Sequence, residues 1–74
     1  MVGNRRMTGG EIIRLARKLR AYSQDDLAQL SGFAKSTIGN WENGRCKPAY
    51  DDVSKVVELM HFTIPELEQM KHAA

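Results

Sequence analysis

The stretch Ser23-Gln24-Asp25-Asp26-Leu27-Ala28-Gln29-Leu30-Ser31-Gly32-Phe33-Ala34-Lys35-Ser36-Thr37-Ile38-Gly39-Asn40-Trp41-Glu42-Asn43-Gly44 decides the fold. Ser23 is a helix-capping type with Asp26 three positions on, and Asp25 and Asp26 sit in a first turn where the helix dipole favours negative charge. Leu27, Ala28 and Leu30 supply an apolar face, and Gly32 is the expected left-handed stop. The next helix must fit between about Lys35 and Glu42, because Asn43-Gly44 is a strong terminator. At 100° per residue Thr37, Ile38 and Trp41 point one way. Ser36, Gly39, Asn40 and Asn43 point the other, with Lys35 at the edge. Two helices crossing steeply on so short a turn need a small side chain where they touch, positive φ in the turn and an aliphatic plug beyond it. Ala28, Gly32 and Ile38 fill those positions.

The flanks add helices on the same local grounds. Thr8 with Glu11 is a capping-box pattern, followed by Ile12, Ala16 and Leu19 at helical spacing. After the loop Arg45-Cys46-Lys47-Pro48, a helix from about Ala49 to Met60 places Val53, Val56, Val57 and Met60 inward. Thr63-Ile64-Pro65-Glu66 repeats the cap-x-x-Glu pattern, with proline in the first turn where its missing N–H does no harm. A short last helix then runs to about Met70. The expected fold is all-α: a flexible basic arm at 1–8, a five-helix domain at 9–70 and a short tail at 71–74. Met7 is a second candidate for the natural start.

Composition narrows the functional classes. The 74 residues carry eleven Lys+Arg against nine Asp+Glu, a net +2 too small to argue for a polyanion partner. The distribution says more. Residues 1–22 hold Arg5, Arg6, Arg14, Arg17, Lys18 and Arg20 against Glu11, a net +5. Residues 35–48 hold Lys35, Arg45 and Lys47 against Glu42, a net +2. Asp25 and Asp26, and the acid-rich stretch 49–74, carry the opposite sign. This basic front suggests a nucleic-acid-facing surface. Apolar runs are too short for a membrane span or a signal peptide. Cys46 has no second cysteine to pair with, and His61 and His72 are too few to complete a zinc site. No Ser/His/Asp or Cys/His grouping, metal cluster or phosphate loop is visible, so an enzyme is not expected. No cofactor is expected either. Cys46 reads as an incidental loop thiol, with a redox effect on binding as the alternative.

The projecting helix has a short polar outer face, Lys35, Ser36, Gly39 and Asn40, suited to a DNA major groove about 12 Å wide. At this point the sequence resembles the lambda-repressor-like (Xre or Cro type) helix-turn-helix proteins. Ile13-Arg14 and Arg17 through Ala28 look like their first two helices, with Ser-Gln-x-x-Leu-Ala the most specific part. Ser36 through Gly44, ending Trp-Glu-Asn-Gly, resembles their recognition helix, and Pro48 through Leu67 their last two helices.

The resemblance implies roles residue by residue. Lys35, Ser36, Gly39 and Asn40 match the base-contacting face, where Asn40 suits adenine N6/N7 and Lys35 suits guanine O6/N7. Gln24, Asn43, Arg45 and Lys47 match phosphate contacts, which set register rather than sequence. Arg17 and Glu42 match a structural ion pair. Ile64, Leu67 and Met70 are a candidate dimer surface, although Phe62 and Leu67 also suit the core. Trp41 reads as core rather than as a stacking platform. Ala34 and Ala49 depart from the family by offering no capping side chain, and Ala34 also removes a common hydroxyl–phosphate contact.

The implied function is a sequence-specific double-stranded DNA binder in the cytoplasm, at the nucleoid when bound, most simply a dimeric repressor on an inverted repeat. The length implies no attached effector domain. The alternative is an antitoxin that binds a partner toxin and represses its own operon, with residues 67–74 as the contact. The transcription machinery is a further candidate partner.

Overall fold

A computed structural model describes residues 7–73. Residues 1–6 of the expected arm, including Arg5 and Arg6, and Ala74 of the expected tail lie outside the described residues. Among those described, the chain forms five helices and no strand: α1 Gly9–Leu19, α2 Gln24–Ser31, α3 Lys35–Glu42, α4 Tyr50–Leu59 and α5 Ile64–Ala73. The expected α4 limits, Ala49 and Met60, are its caps. α5 continues beyond Met70.

Local chemistry starts the helices. The Thr8 hydroxyl accepts from Glu11 N–H at 3.1 Å, and the Glu11 carboxylate accepts from Thr8 N–H at 2.9 Å. Ser23 and Asp26 do the same for α2 at 3.0 and 2.9 Å, and Thr63 and Glu66 for α5 at 3.3 and 3.1 Å. Each box satisfies donors that the first turn leaves without partners. Ala34 and Ala49 make no side-chain cap. Gly32 ends α2 at φ 85°, its N–H bonded to Ala28 O at 2.9 Å.

The helices pack around one core. α1 lies against α3, α4 and α5; α2 lies against α3 and α4; and α4 lies against α5. Ile13, Ala16, Leu27, Ile38, Val56, Val57, Met60 and Leu67 have no exposed surface. Two expected core positions turn outward. Leu19 is 49% exposed and Leu30 42% exposed. Both stand in the last turn of their helices, and Ile13, fully buried, adds to the inner side of α1.

The candidate dimer surface is corrected in the same way. Leu67 is fully buried and Ile64 is 9% exposed, so both face this chain's own core, while Met70 is 39% exposed. α5 uses its first two turns to close the base of the domain, which leaves Met70 alone of the three with substantial surface.

The ends of α1 and α4 are tied together by Arg20. Its Nε donates to Met60 O at 2.8 Å, and its guanidinium lies 4.3 Å from the centre of the Phe62 ring. A cation at a helix C-terminus meets carbonyls without intrahelical partners, and the ring face adds a cation–π contact. Arg20 is exposed, but its guanidinium is engaged at this corner rather than free on a basic front.

Candidate nucleic-acid interface

The site is built on how α3 is held. At the N-terminal end of α1, Gly10 is buried directly against the Trp41 and Glu42 backbone of α3. Inside α3, Ile38 is fully buried, and Trp41 is 8% exposed with its ring edge-on to Phe33, centroids 4.9 Å apart. Trp41 is thus a core side chain. At the far end, Arg17 grips Glu42 with a two-pronged contact: Nε to Oε2 at 2.8 Å and a terminal nitrogen to Oε1 at 2.8 Å. The remaining terminal nitrogen donates to Tyr22 O at 2.9 Å. The Glu42 and Arg17 side chains are 5% and 12% exposed.

This geometry explains the electrostatics. Burial alone would push the Glu42 carboxyl up, but hydrogen bonds from Arg17 and Gln24, with the charges of Arg17 and Arg14, hold it below its ordinary value. An acid at a helix C-terminus opposes the dipole, and the paired guanidinium offsets that. Asp26 is also held low, by the Ser23 backbone N–H and then its hydroxyl.

Gln24 joins the same group. Its Nε2 donates to Glu42 Oε1 at 3.2 Å, which fixes the amide at the start of α2 beside the middle of α3. Arg14, Arg17, Gln24, Gly39, Glu42 and Asn43 line a polar hollow of about 270 Å³. Arg14 was not singled out by sequence; its spacing of one helical turn from Arg17 is the signal that would have found it. Of the α1 cations, Arg17 and Arg20 are engaged internally, so Arg14 and Lys18 are those that present free charge among the described residues.

The outer face of α3 is open. Lys35 and Ser36 are exposed, and Gly39 and Asn40 are half-buried along the same side. Asn40 O accepts from Arg45 N–H at 2.9 Å and Cys46 N–H at 3.2 Å, while Asn43 Oδ1 accepts from Arg45 N–H at 3.2 Å. These bonds fold the loop after α3 back on the helix and place exposed Asn43, Arg45 and Lys47 beside its C-terminal end. The Asn43 side-chain oxygen is occupied by this turn, so its amide N–H groups are the outward donors. Ile64, Leu67 and Met70 take no part in this face.

Gly39 is not required by the protein's own packing. A Cβ there would stand 3.7 Å from Gln24 Oε1 and 3.9 Å from Nε2, which is ordinary contact. Gly39→Ala is therefore expected to stabilise the domain by about 1 kcal/mol through helix propensity. A urea titration followed by Trp41 emission checks this; a lower midpoint would show a steric demand the packing does not reveal.

The helix-turn-helix family model matches residues 13–67. The chain belongs to the lambda-repressor-like helix-turn-helix family. Comparison with curated proteins and with solved structures finds no match. The helix-turn-helix match makes α2 and α3 the motif's two helices, and it marks the chain as a DNA-binding regulator of transcription. Among the described residues no helix is long and apolar enough to cross a membrane.

Proposed function

We propose that this helix-turn-helix protein represses transcription by binding an inverted repeat in double-stranded DNA as a dimer. The observation that carries the reading is the outer face of α3: polar, open and rigidly held, with a part-buried ion pair at one end and backbone contact to α1 behind it. Lys35 donates to guanine O6/N7, Asn40 pairs with adenine N6/N7, and Ser36 serves either. Gly39 lets the sugar–phosphate wall approach, so Gly39→Ala weakens binding even as it stabilises the fold. Gln24, Asn43, Arg45 and Lys47 meet phosphates, and Arg14 joins them across the polar hollow. One recognition helix reads only a few base pairs, so two copies with half-sites about 34 Å apart are needed. Met70 is the member of the expected dimer surface exposed enough to contribute.

The toxin-partner alternative calls for a contiguous apolar patch. Tyr50 and Leu59 are 70% and 38% exposed, but they stand at opposite ends of α4. They are nine positions apart, roughly 13 Å along the axis. Met70, 39% exposed on α5, suits a toxin contact as well as a dimer contact.

Selection from random duplexes followed by a salt titration tests the proposal. An inverted repeat is expected to be enriched. With Arg14, Arg45 and Lys47 at phosphates, the log–log salt slope is expected near −2.7 per protomer, about −0.9 for each phosphate neutralised. Asn40→Ala is expected to lose about 1–3 kcal/mol of preference at one base step, whereas Gln24→Ala weakens all duplexes alike. No enrichment together with a flat salt response overturns it.

A further inference from the structure

Asp25 and Lys35 join the two helices of the motif on the DNA-facing side. Asp25 is the second residue of α2 and Lys35 the first of α3. Their side chains are 68% and 57% exposed, and Lys35 Nζ stands 3.4 Å from Asp25 Oδ2. The pair is a poor candidate for a structural role. Exposed pairs of this kind contribute little to folding, because solvent screens the charges and two flexible side chains lose freedom. Asp25 is not the capping acid of α2 either; Asp26 makes both capping-box bonds. What Asp25 does is place a carboxylate beside the leading cation of the recognition helix, on a surface where every DNA phosphate repels it.

We propose that Asp25 determines specificity through Lys35, by making the lysine's contact with DNA conditional on a G·C base edge. This inference rests on the DNA-binding reading given above. An unpaired ammonium attracts any phosphate and adds to binding on every sequence. Held by Asp25, the same ammonium carries no net charge to a random duplex. At a G·C pair the balance differs. Guanine O6 and N7 accept from Lys35, and cytosine N4–H₂ donates to a carboxylate. The side-by-side donor and acceptor match both halves of that edge, whereas a phosphate offers acceptors alone and leaves Asp25 repelled. Asp25 thus suppresses non-specific binding and rewards one base pair.

The test compares wild type, Asp25→Asn, Lys35→Ala and the double variant on the selected duplex, on the same duplex with its Lys35-facing G·C pair replaced by A·T, and on a scrambled duplex. Circular dichroism first establishes that all four proteins fold. Asp25→Asn is expected to steepen the salt slope on the scrambled duplex by about 0.9, one further released counterion. Affinity for that duplex then falls about three- to fourfold more between 50 and 200 mM salt than it does for wild type. The preference for G·C over A·T is expected to shrink, and both effects are expected to vanish in the Lys35→Ala background. Equal effects with and without Lys35 overturn the proposal, since Asp25 would then act as a distant charge. An unchanged Asp25→Asn on a binding-competent wild type overturns it alone. Absence of duplex binding by wild type overturns it together with the repressor reading.

Discussion

Gly10→Ala is expected to lower the stability of the domain by about 3 kcal/mol or more, toward or beyond the upper end of the usual overpacking range. A methyl group at this position runs into the carbonyl oxygen of Trp41, lies 2.6 Å from the Trp41 carbonyl carbon and 3.2 Å from Glu42 Cα. All three are backbone atoms of α3, so no rotamer change relieves the overlap. α1 and α3 must separate, and the groups that depend on their spacing follow: the Arg17–Glu42 pair and the Gln24 amide. The gain in helix propensity on replacing glycine, about 1 kcal/mol, is too small to offset this. A 74-residue domain has roughly 4–11 kcal/mol to lose, at 0.05–0.15 kcal/mol per residue. Urea denaturation followed by Trp41 emission measures the effect, and a wild-type midpoint would show that α1 and α3 are not held in backbone contact. Gly39→Ala on the outer face of α3 serves as the opposite case, since the same added methyl group meets only ordinary contact there.

The second large effect belongs to Glu42. Glu42→Ala leaves the largely buried Arg17 guanidinium without its carboxylate and releases Gln24. Exposed pairs are worth below about 1 kcal/mol, and breaking a buried pair costs about 3–5. With residual exposures of 12% and 5%, this pair falls between the two, at about 2–3 kcal/mol. The acid dependence follows from the direction of the shift. The folded-state value lies below the ordinary 4.5, so the carboxylate's contribution is present above that value. It is lost as pH falls through the lower folded value. Asp26, held below 3.8, adds to the same acid limb. Urea midpoints between about pH 7 and pH 3 are expected to fall for wild type, and Glu42→Gln is expected to start lower and decline less steeply. Parallel profiles for the two proteins would rule out Glu42 as a source of the acid sensitivity.

The two effects share a cause: the recognition helix is short, and its position comes from its neighbours. α3 spans eight residues and has no side-chain cap at its start. A helix of that length is marginal on its own. Its outer face can be presented to a groove only because Gly10 sets its depth against α1 and Arg17 anchors its last residue.

Most of the fold was legible in the sequence because its signals are local. Capping boxes at Thr8, Ser23 and Thr63 act within four residues, and Gly32 and Gly44 stop helices by their own φ. The 3.6-residue period sorts α3 into an inner face with Ile38 and Trp41 and an outer face with Ser36, Gly39 and Asn40. The resemblance carried by Ser23–Ala28 and Trp41–Gly44 then points to the family from sequence alone. What tertiary structure decided depends on residues distant along the chain. Gly10 looks like an ordinary first-turn glycine until the Trp41 backbone is laid against it. Arg20 reads as part of a basic surface until Met60 O and Phe62 come within its reach. Leu19 and Leu30 fit an apolar stripe, yet both stay exposed in the last turns of their helices. Ile64 and Leu67 are apolar enough for a dimer contact, but the core of a domain this small takes them first. Asp25 and Lys35 become a pair only when the turn at Gly32 folds one helix back across the other. Sequence alone determined which segments are helical and which face of α3 is polar, because both follow from neighbours in the chain. Which side chains remain available to DNA was decided by tertiary structure, because packing assigns each cation and each apolar group a partner that sequence distance does not reveal.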